Sequence, residues 1–379
     1  MPFYLLQRRG PIGASTLFSR YGIGRGRCAV YLGSVPFNDP QDGSPPLAVV
    51  PTTPIGEIIF DGGGSDMFLP DRSNAEGAFR IIERPTPTAR PRTFMEITRA
   101  DRSLGQRRVE FSSVAGRVGV DIGYDETRTN GYAFDARGAV GGTNYGLTRT
   151  RIQSANLRGT LPGGEGYLFS FRRFLNNIDG DLTSVRRTHR RDGHVASMET
   201  SFGRFLLSIF ERTHKVDTPD SVTANLTTGG YLTVPVSLRP GRAFSIGLGF
   251  ENILSRQEMH GNETRPKLQR ALAGANGVLQ IGGGFTGRFD VNATHYVDMS
   301  TGWGGRIVVG RALGSNNEAI VEVRRAFRMP NLGELYLPEH YLTPEGPVML
   351  GNRYVKGESS VEAGGGVVTR FRHFENEAR

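Results

Sequence analysis

A cluster of positive charge lies between residues 186 and 191, where four arginines and one histidine fall within six positions. Guanidinium groups bind phosphates and carboxylates through paired hydrogen bonds, so this cluster could bind an anionic ligand. A solvated, arginine-rich loop is the simpler account of the same residues, and both alternatives stay open. The residues concerned are Arg186, Arg187, His189, Arg190 and Arg191.

Seven histidines are spread along the chain without the His-x-x-x-His or carboxylate-paired spacing that is typical of a metal site. His189, in the cluster above, and His340 are the candidates for contact with a metal-containing ligand. The single Cys excludes a disulfide framework and a Cys-rich zinc site. No Ser-His-Asp order or carboxylate pair stands out. We therefore expect no catalysis, no resident metal and no cofactor.

Two glycine-rich segments, 22–26 and 62–64, have the composition of phosphate-binding loops. A phosphate-binding loop needs a helix N-terminus behind it, and neither segment precedes a helical pattern. We interpret both as turns between strands.

The chain has 379 residues and a formal net charge of +9, and all but three of its 46 Lys+Arg residues are arginine. Such a charge could indicate nucleic-acid binding, but the arginines are scattered and form no continuous basic face with stacked aromatics. We therefore expect no nucleic-acid partner. No apolar run approaches the ~18–20 residues of a transmembrane helix.

Apolar and polar residues alternate along much of the chain, which indicates strands with two different faces. The pattern is clearest at 117–124, 231–238, 244–251 and 289–299. Apolar positions on one side and Gly, Asn, Asp or Arg on the other are typical of strands between lipid and a polar lumen. We expect the following side chains to point outward: Val118, Val120, Ile122, Phe244, Ile246 and Leu248.

The connections between these strands are of two predicted kinds. Tight turns are expected at 161–165, 203–204, 239–242 and 286–288, and long polar loops at 125–146, 176–193, 217–230 and 255–276. Short turns on one side and long loops on the other are typical of an outer-membrane barrel. The sequence therefore predicts an all-β fold: an incomplete antiparallel transmembrane β-barrel of about 12–14 strands, with the charged cluster in an outer loop. A soluble β-sandwich is the alternative.

Residues 320–364 contain two motifs in a fixed order. The first comprises Phe327, Arg328, Pro330, Glu334, Leu335 and Tyr336, and the second comprises Gly351, Asn352, Glu358, Ser359, Glu362 and Gly364. Together they resemble the barrel of TonB-dependent outer-membrane receptors. We expect Glu334 to be structural, because Pro330 ends a strand, and Tyr336 to lie in the aromatic girdle at the membrane surface.

The N-terminal part of the chain is similar to the plug domain of the same family. The resemblance lies in the segment from Val30 to Pro40, in the strand 55–60 with its following Gly turn, and in the segment 76–82. We interpret residues 1–86 as the later half of a plug folded in the lumen, and residues 87–379 as a partial barrel. The plug-motif residues are Arg20, Gly22, Asp39, Gly62, Gly63 and Gly77.

The resemblance implies an outer-membrane receptor or transporter that takes up a scarce small molecule, such as a siderophore or vitamin. It also implies TonB and its inner-membrane motor as partners, with outer-membrane lipid and lipopolysaccharide around the barrel. The segment that contacts TonB and a signal peptide are not visible in the sequence. Two alternatives remain: a passive or non-transporting outer-membrane barrel or receptor fragment, and a soluble β-sheet protein that binds polyanions.

Overall fold

Among the residues that it describes, the computed structural model has 24 strands and one short helix. It describes residues 4–8, 16–20, 29–41, 43, 45, 47, 50, 55–61, 78–83, 91–100, 104–115, 118–129, 145–161, 167–182, 185–202, 205–218, 221–239, 242–259, 261–297, 299, 301–314, 316–337, 340–341, 348–349, 351–371 and 374–378.

The elements occur in this order along the chain: β1 (Tyr4–Arg8), β2 (Thr16–Arg20), β3 (Ala29–Leu32), β4 (Val35–Pro36), β5 (Ile55–Asp61), β6 (Ala78–Glu83), β7 (Arg92–Ala100), β8 (Leu104–Ala115), β9 (Val118–Thr129), β10 (Tyr145–Leu161), β11 (Tyr167–Leu182), β12 (Val185–Phe202), β13 (Phe205–Thr218), β14 (Ser221–Arg239), β15 (Arg242–Met259), β16 (Asn262–Thr264), β17 (Lys267–Gly282), β18 (Phe285–Tyr296), β19 (Thr301–Ala312), β20 (Asn317–Arg328), α1 (Leu332–Tyr336), β21 (His340–Tyr341), β22 (Val348–Met349), β23 (Glu358–Phe371) and β24 (Phe374–Ala378).

Strands β7 to β20, β23 and β24 form one antiparallel sheet of sixteen strands, with β7 at one edge and β24 at the other. Neighbouring strands in the chain pair with each other almost throughout, as in a meander. The predicted all-β, antiparallel class is confirmed, and the sheet has more strands than the 12–14 expected.

A second sheet of four strands has the order β4-β3-β6-β5. Strands β3 and β6 are parallel, and the other two pairs are antiparallel. Its apolar side chains, including Val30, Phe37 and Ile81, form a buried cluster with Phe174 and Phe210 of the large sheet. We call the face of the large sheet that contacts this small sheet the inner face, and the opposite one the outer face.

The two faces of the large sheet have opposite character. On β9, Ile122 is 52% exposed, whereas its neighbour Asp121 is 1% exposed. On β15, Leu248 is 56% exposed and Glu251, on the inner face, is fully buried. Apolar residues therefore lie outside and polar residues inside, which reverses the pattern of a water-soluble sheet protein. The predicted outward direction is confirmed for Ile122, Ile246 and Leu248, which are exposed on the outer face.

Aromatic rings on the inner face lie over glycines of the next strand. Phe174 of β11 is opposite Gly193, and Phe210 of β13 is opposite Gly229. A Cβ atom on either glycine would lie 2.7 Å from the facing ring. The absence of a side chain therefore lets the ring lie flat on the wall, where it supports the small sheet. Tyr231 of β14 repeats the arrangement over Gly249.

The prediction of long loops is wrong for three of the four segments. Segments 176–193, 217–230 and 255–276 are largely strand, in β11 to β17, and the connections between β11 and β12 and between β13 and β14 comprise two residues each. In 186–193 both faces of β12 carry polar residues or glycine, so the alternation that marks a strand is absent there. Segment 286–288 lies within β18, and the turn before it contains Gly283 and Gly284. Residues 130–144 lie outside the described residues.

Within the part of the chain that the structure describes, no helix is long and apolar enough to cross a membrane.

Candidate functional site

The segment that follows β3 brings polar groups from the small sheet to the inner face of the large sheet. Gly33 adopts a left-handed conformation with φ of 62°, which allows the tight turn between β3 and β4. The side chain of Asn38 then folds the segment back, because its Oδ1 accepts from the Val30 amide (2.6 Å) and its Nδ2 donates to the Gly43 carbonyl (2.7 Å). This places Asp39 against β13.

Asp39 and its surroundings form the first connection between the two sheets, which we call the Asp39 attachment. His214 Nδ1 of β13 lies 3.0 Å from Asp39 Oδ2, and Asn225 Nδ2 of β14 lies 3.4 Å from Oδ1. Arg212 Nη1 donates to the carbonyls of Pro36 (3.0 Å) and Asn38 (2.6 Å). Burial raises the pKa of Asp39, but the charge and hydrogen bond of His214 outweigh it, so the pKa lies well below its usual range.

A second connection, the Glu83 attachment, lies at the end of β6. Glu83 accepts a short hydrogen bond from Arg172 Nη2 of β11, and Arg158 Nη1 of β10 lies 3.9 Å from its other oxygen. Arg158 Nη2 also donates to Asp121 of β9 at 2.5 Å. Both arginines are almost fully buried, so the two carboxylates offset charges that would be costly to bury alone.

A third polar cluster lies on the inner face of β14 to β18. Glu251 is fully buried, and it accepts from the Tyr231 hydroxyl and from Arg270 Nε at 2.8 Å. Arg270 Nη1 also donates to the Tyr296 hydroxyl at 3.1 Å. A cavity of about 120 Å³ separates this cluster from β3, and Tyr31, Asp39 and Arg212 contribute to its lining. The cavity has room for a few water molecules.

The two barrel motifs form one structural unit above this cavity. Arg328 forms a two-pronged ion pair with Glu334 (3.0 and 3.1 Å) and a further pair with Glu358 at 3.1 Å. Glu334 and Asn331 also cap α1 reciprocally, each side chain bonding the other's backbone amide at 2.8 Å. Glu334 therefore has a structural role, as expected: it caps α1 and forms an ion pair with Arg328.

The second motif is packed onto the end of this helix. The Gly351 amide donates to the Leu337 carbonyl, and the Asn352 amide to the Glu334 carbonyl. At the other end of α1, the amides of Leu332 and Gly333 donate to the carbonyls of Pro40 and Gln41 at 2.9 Å. The unit therefore connects β20 and β23 to the loop of the Asp39 attachment.

Several predicted positions differ from the sequence-based expectation. The cluster from Arg186 to Arg191 lies in β12, not in a loop. Arg190 is exposed and pairs with Asp192 at 3.4 Å, whereas Arg191 is buried, so the two alternate between faces and do not form one anion site. Tyr336 packs on a buried cluster around Met329 and Leu332, under Arg353, and not in a lipid-facing girdle.

The remaining predicted residues differ in burial and in how much of them the structure describes. Phe327 is half-buried, Pro330 and Leu335 are buried, and Glu362 is exposed opposite Arg324 in the β20–β23 register. Backbone positions alone are described for Arg20 in β2, Arg186, Arg187 and His189 in β12, and His340 in β21. Gly22, Gly62, Gly63 and Gly77 lie outside the described residues. No group of three His, Cys, Asp or Glu residues able to hold a metal occurs among the described residues.

Sequence reasoning missed most of the residues that connect the two sheets. The partners are far apart in the chain: Arg172 follows Glu83 by 89 residues, and Arg212 follows Pro36 by 176. A usable signal was the period-2 pattern of β13, which places Arg212 and His214 on the same inward face as Ser208 and Phe210. Asp39 was identified through the resemblance, without its partners.

The fold is shared with solved structures, although no family model and no curated protein matches the chain. The siderophore receptor PirA from Acinetobacter baumannii matches with a TM-score of 0.69 and 13% identity, over 98% of this chain and 65% of that one. The ferric enterobactin receptor PfeA matches with a TM-score of 0.71 and 13% identity, over 98% and 66%. The copper transporter OprC matches with a TM-score of 0.74 and 11% identity, over 99% and 65%.

The chain thus spans about two thirds of the length of these proteins. The architecture implied by the resemblance to TonB-dependent receptors is therefore confirmed at the level of the fold: the chain has the fold of siderophore and copper receptors.

Proposed function

We propose that the chain functions as an outer-membrane receptor or transporter of the TonB-dependent kind. The observation that carries the proposal is a small sheet held by buried ion pairs against the polar inner face of a large sheet whose outer face is apolar. The outer face suits contact with lipid, and outer-membrane lipid and lipopolysaccharide are the proposed surroundings. Residues 1–86 are proposed as the plug-like domain and residues 87–379 as the barrel domain.

The attachments are more consistent with a plug that can be released from the barrel than with a domain that blocks the lumen permanently. A packed apolar contact has no specific point of release, whereas the Asp39 and Glu83 attachments each depend on one carboxylate. A force on the small sheet would have to break these two polar contacts as well as the apolar packing around Phe174 and Phe210. TonB and its inner-membrane motor are the proposed source of that force, and the ligand class is a siderophore, a vitamin or a similarly scarce molecule. The structure neighbours named for siderophores and copper support that class.

The test is to export the full chain behind a cleavable signal peptide in a Gram-negative host that lacks its own ferric-siderophore receptors. We expect the chain in the outer-membrane fraction, with migration in detergent gels that changes on heating. Uptake of radioactive ferric enterobactin, and of a ferric hydroxamate as a second probe, should require TonB. The Arg256→Gln variant, altered at an exposed position of the outer face away from both attachments, should behave like the original chain.

Three results separate the alternatives. TonB-dependent uptake of either probe supports the proposal. Outer-membrane insertion with uptake that is the same in a host without TonB favours a passive barrel. Recovery in the soluble fraction, with migration unchanged by heating, contradicts the membrane proposal and favours the soluble polyanion-binding alternative.

A further inference from the structure

The outer face of β7 to β10 is organised in rows across the strands. One row contains Thr93, Phe111, Ile122 and Leu157, and the next contains Met95, Val109, Tyr124 and Ala155. Both rows are almost wholly apolar and largely exposed. These are the features of a surface that contacts acyl chains.

Charged residues begin directly beyond these rows. The third row contains Ile97, Arg107, Glu126 and Gln153, and the fourth contains Arg99, Gly105, Arg128 and Arg151. Successive rows are about 7 Å apart, because each is two residues further along a strand. Arginine therefore starts within one row of Tyr124, at the height where lipid headgroups meet acyl chains.

A buried carboxylate holds two of these arginines in place. Glu126 Oε1 accepts from Arg128 Nη2 and Arg151 Nε, both at 2.8 Å, and from Gln153 Nε2 at 3.2 Å. The Glu126 side chain is 4% exposed, whereas those of Arg128 and Arg151 are 52% and 48% exposed. The carboxylate thus fixes the two guanidinium groups and leaves their other N–H donors directed to the surroundings.

The charge of this surface is not balanced within the described residues. Four arginines, Arg99, Arg107, Arg128 and Arg151, share the outer face of β7 to β10 with one carboxylate, Glu126. Near β13 and β15, by contrast, positive side chains are matched by carboxylates. Arg256 and Arg265 pair with Glu258 and Glu263, and Lys215 pairs with Asp217. The outer face of β7 to β10 therefore differs from these balanced positions in its excess of positive charge.

We propose that the outer face of β7 to β10 binds the phosphate of a membrane lipid, with Arg128 and Arg151 as the main ligands. The inference rests on the proposed membrane location of the sheet. Arginine binds phosphate through two parallel hydrogen bonds, and Arg99 and Arg107 add charge on either side. The lipid's acyl chains would lie along the rows that contain Phe111, Ile122 and Val109. A free phosphate would gain only the polar half of this surface, which is why a lipid is the proposed occupant.

The test compares lipids that differ only in the headgroup. The full chain, folded in detergent, is mixed with equal amounts of phosphatidic acid and phosphatidylcholine carrying the same acyl chains, and bound lipid is counted by native mass spectrometry. We expect phosphatidic acid to be retained over phosphatidylcholine, and the Arg128→Gln/Arg151→Gln double variant to lose about tenfold of that preference. The Arg256→Gln/Arg265→Gln variant should keep it, since those two arginines pair with two carboxylates, Glu258 and Glu263, and leave no excess positive charge.

Two further measurements show whether a negative result contradicts the lipid as occupant, this binding site or the membrane location of the chain. Inorganic phosphate at millimolar concentration should not displace phosphatidic acid, and complete displacement would overturn the lipid as the occupant. Heat-dependent migration of each variant reports on folding. A folded chain that retains both lipids equally overturns this inference alone, whereas a chain that never acquires heat-dependent migration contradicts the membrane proposal itself.

Discussion

The Glu83 and Asp39 attachments, two of the contacts between the small sheet and the large sheet, differ in chemistry. The Glu83 attachment joins one carboxylate of β6 to two arginines of β10 and β11. The Asp39 attachment combines a carboxylate with His214 and with backbone carbonyls that accept from Arg212. The first depends on ion pairing, and the second also depends on the shape of a loop. We expect the two ends of the small sheet to respond differently to the same change in conditions.

The largest effect should come from breaking the Glu83 attachment. Arg172→Met leaves Glu83 buried with only the more distant Arg158, and removing one partner of a buried pair costs about 3–5 kcal/mol. Hydrogen exchange of the β6 amides, measured on the detergent-folded chain, should accelerate strongly, and that of β3 less. Arg190→Met, which removes an exposed pair, is the control and should have little effect. Unchanged exchange in β6 would show that apolar packing alone holds this end.

An acidic pH should act selectively on the Asp39 attachment. The pKa of Asp39 is lowered in the folded chain, so the folded state favours its carboxylate form. The resulting stability is present above the ordinary pKa of about 4 and is lost as the pH falls from there towards the lowered pKa. By pH 3 the loss should be on the order of 1 kcal/mol. Hydrogen exchange of the β3 amides, corrected for the pH dependence of the intrinsic exchange rate, should accelerate accordingly.

Asp39→Asn is the matched variant for this experiment. Its β3 amides should exchange faster at neutral pH and should lack the additional acceleration between pH 5 and pH 3. If the variant and the original chain show the same pH dependence, another group is responsible, and the contrast between the two attachments disappears.

The smallest effect should follow from Asn331→Ala. This change removes the side-chain acceptor for the Glu334 amide at the start of α1, and loss of such a cap costs about 1 kcal/mol. The Leu332 and Gly333 amides, which bond the Asp39 loop, should then exchange faster while the β6 amides stay protected. Asn352→Ala, at an exposed position, is the control. Faster exchange in β6 would mean that the two attachments are coupled.

The sequence predicted what depends on neighbouring residues. Alternation identified β9, β15 and β18 and their outward side chains, such as Ile122 and Leu248. This signal is local, because successive residues of a strand point to opposite faces of the sheet. The same signal failed in the first half of β12, where inward Arg191 and Gly193 alternate with outward Arg190 and Asp192. A strand that is polar on both faces looks like a loop.

The attachments could not be predicted for a different reason. An ion pair such as that of Glu83 and Arg172 joins residues that no local pattern relates, and many arginines compete as possible partners. The resemblance to receptors identified Arg328, Glu334 and Glu358 as motif residues, but not that they form one ion-pair network. Such contacts follow from strand register, which a single sequence specifies only weakly.

The aromatic rings that rest on cross-strand glycines have a consequence for how such a protein can evolve. Phe174 and Gly193, or Phe210 and Gly229, form pairs in which neither member can change freely. A larger residue in place of the glycine would push the ring into the small sheet, and a smaller residue in place of the ring would leave a hole beneath it. Accepted changes should therefore occur as compensating pairs on adjacent strands. Relatives would then share correlated positions about twenty residues apart, even where little contiguous sequence is kept.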